Sequence, residues 1–215
     1  MLFSGNVLPA AGLLHNFDPR KLSLADGDSV PSRTNQETTG DDLSATSSPT
    51  YRTNGINGNP IVEYDGTNDF HQGTFAATIS APLEIFHVFQ ARSIVGSNRY
   101  YDGESTTMQW LVTGGGWQLF DGRNILTASS NEDTNPHIGV ARFATNGEIQ
   151  LESTLEGSGT DVSNFSLGGL TIGAEKNSTN HAPIDSGQFL IYDASASGFS
   201  RADVVSYLSA EWGPF

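Results

Sequence analysis

The sequence predicts an all-β fold: an antiparallel two-sheet jelly-roll sandwich closed by one short C-terminal helix. Three observations predict it. Short β-branched and aromatic runs recur at regular spacing, separated by turn formers, with 24 glycines among 215 residues. Nothing alternates strand with helix in the way that builds a parallel sheet. Helical periodicity is convincing only at the very end of the chain. A chain of 215 residues fits one domain, residues 1–215, because all-β sandwiches often reach this size undivided.

Residues 1–14 are rich in apolar side chains, Leu2, Phe3, Val7, Leu8, Leu13 and Leu14, with few helix signals. They read either as an N-terminal arm that packs on a neighbouring subunit, or as a first strand with its lead-in. The start has no positive n-region and no continuous apolar h-region, so a secretory signal is not expected. Turn formers follow at Asp26-Gly27-Asp28-Ser29, Gly40-Asp41-Asp42 and Ser47-Ser48-Pro49. Polar residues 31–46 read as a long surface loop. Asn54-Gly55, Asn57-Gly58 and Asn59-Pro60 are three further turn signals, after which Ile61-Val62-Glu63-Tyr64 reads as a short strand.

Leu83–Ala91 is the strongest strand, apolar on both faces, which predicts a central position. Residues 108–112 and 117–120 are strands split by Gly114-Gly115-Gly116. Asp121-Gly122 turns the chain into residues 123–126, and Asn146-Gly147 links residues 137–143 to 148–151. Asp-Gly and Asn-Gly links favour type I′ hairpins, whose central residues both need positive φ. Residues 170–174 and 188–192 complete the strands. The helix spans residues 200–212. Ser200 caps it with Asp203 three residues on, and Val204, Leu208 and Trp212, with Val205, form one apolar face. Gly213-Pro214 ends it.

Composition excludes several function classes. Twenty-four acids face ten bases, a net charge of -14, so nucleic acid and anionic lipid are repelled. Only Lys21 and Lys176 are lysines, and such an acidic surface suits a high-salt medium, where counterions screen its self-repulsion. No apolar run approaches the ~20 residues of a membrane span. Without cysteine there is no disulfide, zinc–thiolate site or thiol nucleophile.

Several segments together resemble the laminin-G-like jelly rolls of the concanavalin A-like lectin/glucanase superfamily. Asn16-Phe17-Asp18-Pro19 is similar to the family's W-D-A opening. Pro49-Thr50-Tyr51, Asn57-Gly58-Asn59-Pro60 and Val62-Glu63-Tyr64-Asp65-Gly66-Thr67-Asn68-Asp69 resemble its P-x-Y … N-G-x-P-x-V-x-F-D-G-x-x-D block. Leu170-Thr171-Ile172-Gly173-Ala174 is similar to its L-x-I-G-A strand. Gly187-Gln188-Phe189-Leu190-Ile191-Tyr192-Asp193 and the segment from Ser200 to Gly213 resemble its last strand and closing helix. The chain departs at Val30-Pro31-Ser32-Arg33-Thr34-Asn35, which lacks the family's Trp.

The resemblance implies a binding or structural module rather than an enzyme. The expectation is a non-enzymatic virion surface protein of a halophilic virus, such as a capsid turret, spike or tail fibre. It would be made in the host cytoplasm, form a homo-oligomer, assemble with other virion proteins and meet a host-surface glycan or receptor. The alternative is the carbohydrate-binding module of a cellular surface protein. A glycoside hydrolase is the third reading.

Candidate chemistry is sparse. Glucanases of this superfamily alternate three carboxylates on one strand, E-x-D-x-x-E, to place two of them across a sugar bond. Here Glu84-Ile85-Phe86-His87-Val88-Phe89 keeps one, so Glu84 reads as a solvated or edge carboxylate. Neither G-x-S-x-G nor H-E-x-x-H occurs, and His15, His71, His87, His137 and His181 never reach metal-ligand spacing. For Ca²⁺, the turn Asp65, Asn68, Asp69 offers oxygen ligands, although such residues also simply make turns. For a glycan, Trp117, Tyr100, Tyr101, Asp102 and Glu104 are the candidates, aromatic faces beside carboxylates; for Trp117 the reading as core comes first. Asn164-Phe165-Ser166 and Asn177-Ser178-Thr179 are glycosylation sequons.

Overall fold

The computed structural model describes residues 6–37, 40–94, 97–104, 107–163, 166–213 and 215. In chain order the first strands are β1 (Leu13–Phe17), β2 (Ser32–Arg33), β3 (Leu43–Thr46), β4 (Thr50–Arg52) and β5 (Ile61–Asp65). Then come β6 (Phe70–Ile79), β7 (Leu83–Ala91), β8 (Ser97–Gly103), β9 (Gln109–Thr113), β10 (Gly116–Phe120) and β11 (Ile125–Asn131). The last are β12 (Pro136–Phe143), β13 (Glu148–Leu151), β14 (Thr154–Ser158), β15 (Leu167–Ile172) and β16 (Pro183–Asp193), followed by helix α1 (Arg201–Trp212).

They form two eight-stranded sheets. One runs β14-β13-β12-β7-β16-β5-β4, with β1 also on β16; the other runs β11-β10-β9-β8-β15-β6-β3-β2. The ladders are antiparallel, so the predicted two-sheet sandwich is the observed one. The hairpins sit at the expected places, with Gly114 and Gly115 at φ 63 and 87° between β9 and β10 and Gly122 at φ 87° between β10 and β11. The type I′ form is not met, since Asp121, Asn146 and Gly147 keep negative φ and Asp121 Oδ1 instead accepts from the Arg123 and Asn124 amides at 3.0 and 2.7 Å.

The main core lies between the sheets. Phe89 of β7 meets Trp110 of β9 and Trp117 of β10 at ring separations of 6.1 and 5.5 Å, in the edge-on geometry aromatic pairs prefer. A second cluster covers the outer face of the first sheet. There Phe86, Val88, Ile138, Val140, Leu190 and Tyr192 pack under Val204, Val205, Leu208 and Trp212 of α1. This explains why β7 is apolar on both faces. The helix starts as its sequence predicts: the Ser200 hydroxyl accepts from the Asp203 amide at 3.3 Å, and Gly213 at φ 89° ends it.

The helix is seated by a bulge in β16. Register against β7 shifts between Ser186 and Phe189, and within it a Cβ on Gly187 would come within 2.8 Å of the Trp212 ring, so glycine is required. Gln188 Oε1 accepts from Trp212 Nε1 at 3.2 Å and from Arg20 Nη2 at 3.1 Å. Arg20 lies over the Trp212 ring at 5.0 Å, held there by Asp18.

Two expectations change. Residues 31–46 are not a surface loop: they contain β2 and β3 and bury Arg33, Asn35 and Leu43. Arg33, 2% exposed, donates to Ser186 Oγ at 2.7 Å and to the carbonyls of Phe17 and Gly187 at 3.0 and 2.6 Å. A polar segment is thus held inside by long-range hydrogen bonds, which satisfy its buried groups. Of residues 1–14, Met1–Gly5 lie outside the described residues. Leu8 and Leu13 pack on the chain's own helix-side cluster, and the Pro9 carbonyl accepts from Tyr192 Oη at 2.8 Å. Leu13 and Leu14 open β1, while Val7 is exposed.

Leu208 is fully buried at the centre of the helix face. Leu208→Ala is therefore expected to cost about 2–4 kcal/mol, measurable by urea unfolding; a change under about 0.5 kcal/mol would mean that α1 is not docked.

Candidate functional site

The residues singled out for glycan stacking are in the core. Trp117, Tyr100 and Tyr101 are at most 1% exposed. Trp117 Nε1 donates to the Asn131 carbonyl at 3.0 Å, and the Tyr100 hydroxyl donates to the Glu132 carboxylate. Protein covers these rings on both faces, so none offers a platform for sugar. Asp102 is buried and accepts from Gln109 Nε2 and the amides of Lys176 and Met108 at 3.0, 3.1 and 3.2 Å. Burial raises its pKa, and those hydrogen bonds oppose the rise. Glu104, half-buried, follows at the end of β8, where its amide bonds the Gly169 carbonyl at 3.1 Å.

The acidic turn is occupied by its own backbone. Asp65 Oδ1 accepts from the amides of Thr67, Asn68 and Asp69 at 2.7, 3.1 and 3.4 Å, and Asp69 Oδ1 accepts from the Ser48 amide at 3.0 Å. Asn68 is exposed. Among the described residues no three His, Asp or Glu side chains converge in a way that could hold a metal ion. Of the two sequons, Asn177-Ser178-Thr179 lies on an exposed loop, and Asn164-Phe165-Ser166 falls largely outside the described residues.

Glu84 overturns its expectation. It is neither solvated nor at an edge but 1% exposed, on the helix-facing side of central β7. Arg201, in the first turn of α1, grips both its oxygens, Nε to Oε2 at 2.8 Å and Nη2 to Oε1 at 2.7 Å. Register supplies the rest of the cluster. Arg142 of β12 lies directly opposite both Glu84 of β7 and Glu148 of β13, so three neighbouring strands present carboxylate, guanidinium and carboxylate in a row, ~5 Å apart. Arg201 spans the row above, its Nη1 donating to Glu148 and, at 3.3 Å, to Gln150. Burial opposes the Arg201 charge, but the bonds and charges of Glu84 and Glu148 outweigh it and raise its pKa.

This row floors a groove between α1 and strands β7, β12 and β13. Phe199, Ala202 and Val205 form its apolar wall. Its volume, about 720 Å³, falls within the ~300–1,000 Å³ of ligand sites. Planar acceptors and donors beside an aromatic edge can hold polyol hydroxyls. As arranged, Glu84 is an acceptor clamped by a guanidinium. No sequence signal marks this site, because it depends on pairing registers between strands up to 64 residues apart and on the docking of a helix.

A second charged cluster sits where β12 begins. His137 Nε2 bonds Asp133 Oδ1 and its Nδ1 bonds Glu152 Oε1, each at 3.0 Å. Burial lowers the imidazole pKa, but the two carboxylates outweigh it and raise the net value above 6.5.

No family model and no curated protein matches this chain. Solved structures match its fold. The sialidase of Trypanosoma rangeli in complex with the inhibitor DANA superposes with a TM-score of 0.63 at 12% identity, over 97% of this chain and 34% of that one. A GH54 α-L-arabinofuranosidase gives 0.64 at 10%, over 99% and 61%. The binding domain of botulinum neurotoxin serotype D gives 0.63 at 9%, over 91% and 51%. The chain thus spans between about a third and three fifths of these proteins, and the likeness shows the β-sandwich fold.

These neighbours correct two expectations. Each is a glycosidase or a toxin domain and none is a virion protein, so the reading as a halophilic virion surface protein is overturned. The expectation of a chain without catalysis falls too, since two of the three similar structures are enzymes and the fold no longer argues against activity.

Arg201→Met leaves the Glu84 carboxylate buried without its main partner. The expected loss is about 3–5 kcal/mol in urea unfolding, largely recovered when Glu84→Met is added. His137 gives a pH signature. Its folded pKa is raised, so its bonds stabilise fully below pH 6.5 and are lost as pH climbs through the higher folded value. His137→Asn should therefore lower the melting temperature most in mildly acidic buffer, with the gap to wild type closing as pH rises. An equal gap at every pH would show that the ring does not carry the charge.

Proposed function

We propose that this domain recognises carbohydrate, as a lectin-like module of the concanavalin A-like, laminin-G-like type, and that a sugar occupies the groove between α1 and β7, β12 and β13. The observation that carries the reading is the cross-strand row Glu84, Arg142, Glu148 under Arg201 and beside Phe199. Sugar sites combine polar side chains that engage hydroxyls with an apolar surface for the ring face, and this groove has both. The similar glycosidases and toxin binding domain add a fold-level analogy. Hydrolysis is a second reading, favoured by one observation: Glu84 and Glu148 share Arg201, which brings two carboxylates to one place. To act on a sugar bond, one of them would have to leave the guanidinium and carry a proton.

The test is glycan-array screening followed by calorimetry on the best ligand. Arg142→Ala and Phe199→Ala are each expected to weaken binding about tenfold or more, roughly 1.4 kcal/mol. Arg142→Ala should leave the melting temperature little changed, whereas Phe199→Ala, which removes a ring packed on Phe86 and Tyr192, should lower it. Product release from the same ligand, abolished by Glu148→Gln, would establish the hydrolytic reading. Unaltered affinity in both groove variants would move the binding site elsewhere.

A further inference from the structure

Building on the carbohydrate reading, we infer that the groove selects neutral sugars, through a pair of adjacent hydroxyls bridging Arg142 and Glu148, and rejects uronic acids and amino sugars. Arg142 and Glu148 lie directly opposite each other on β12 and β13, yet no ion pair closes between them. Arg142 makes one contact among the described residues, Nη1 to Glu84 Oε1 at 3.5 Å, the limit of a hydrogen bond. Its Nε is buried and makes no hydrogen bond among the described residues, so only its terminal nitrogens are open to a ligand. The terminal nitrogens of this half-buried guanidinium therefore keep N–H donors that the protein does not use. Glu148 engages Arg201 through Oε2, and its Oε1 makes no hydrogen bond among the described residues.

An unused donor thus faces an unused acceptor across one strand pair. A hydroxyl both donates and accepts, so two neighbouring hydroxyls satisfy both sides at once. A carboxylate only accepts, so one that docks on Arg142 meets the Glu148 charge. An ammonium only donates, so one that docks on Glu148 meets Arg142. The wider field agrees. Glu84 and Glu148 balance Arg142 and Arg201 within the groove, leaving nothing to neutralise an anion, and the chain carries a net -14 that repels anions on approach.

The experiment is an array of paired neutral and uronic-acid oligosaccharides: galactose with galacturonate, glucose with glucuronate, mannose with mannuronate. Calorimetry on the best pair follows at low and high salt. Wild type is expected to bind the neutral member about tenfold or more tightly, with little salt dependence. Glu148→Gln, which keeps the shape and removes the charge, should narrow that gap to about threefold or less. Arg142→Gln should weaken the neutral ligand while melting like wild type. Preference for the uronate, weakening with salt, would overturn the neutral-sugar inference and leave the carbohydrate reading standing. A gap that Glu148→Gln does not narrow would overturn the role of Glu148. Folded wild-type protein that binds neither member of any pair would instead remove the carbohydrate reading itself.

Discussion

A break of register in one central strand organises much of this domain. β16 pairs with β1, β5 and β7, and its bulge after Ser186 presents three consecutive residues to three different neighbours. Ser186 Oγ receives Arg33 at 2.7 Å and contacts His87 Nε2 at 2.8 Å. Gly187 lets the Trp212 ring close on the backbone, while its carbonyl receives Arg33. Gln188 takes Trp212 Nε1 and donates to Asn16. A bulge inserts a residue that leaves regular pairing; here the extra backbone ties the first strand, a buried cation and the closing helix to one point. Arg33 also marks the electrostatics of this interior. Burial first, and then its charge, keep His71 and His87 neutral, with His71 lowered to about 3.

The seat of the helix has a chemical consequence at its other end. With Trp212 anchored on β16, the first turn lies over β7 and β12, and Arg201 drops onto Glu84. A lone carboxylate under an apolar helix is costly unless a cation reaches it. Because Arg201 also spans to Glu148 and Gln150, the strands beneath stay apart from the helix on that side, and the space between them is the groove. Structural ion pair and candidate binding site are thus one cluster, with Glu84 buried in the first and Arg142 and Glu148 half-buried at its open side.

Little of that cluster was legible. Glu84 drew notice as the remnant of a catalytic pattern, and its true partners lie 58, 64 and 117 residues further along, a relation that only strand register and helix docking create. The aromatic candidates failed for the opposite reason. Trp117 drew notice because it follows three glycines, yet the glycines make a tight hairpin whose second strand turns the indole inward onto Phe89. β6 and β8 were missed because Gly, Thr, Ala, Asn and Asp along Phe70–Ile79 and Ser97–Gly103 carry no apolar period to read.

What the sequence determined by itself is what neighbours in the chain decide. Gly122 takes the positive φ that Asp121-Gly122 predicts, the Ser200 cap answers an amide three residues on, and the two apolar faces of Leu83–Ala91 demand cover from both sides. These local terms suffice for an all-β sandwich with a closing helix. The tertiary structure alone decided which strand lies beside which, and by what register. Sliding an antiparallel pair by one residue turns every side chain to the other face, so the meeting of Glu84, Arg142, Glu148 and Arg201 is a property of packing across the whole chain, which no local segment encodes.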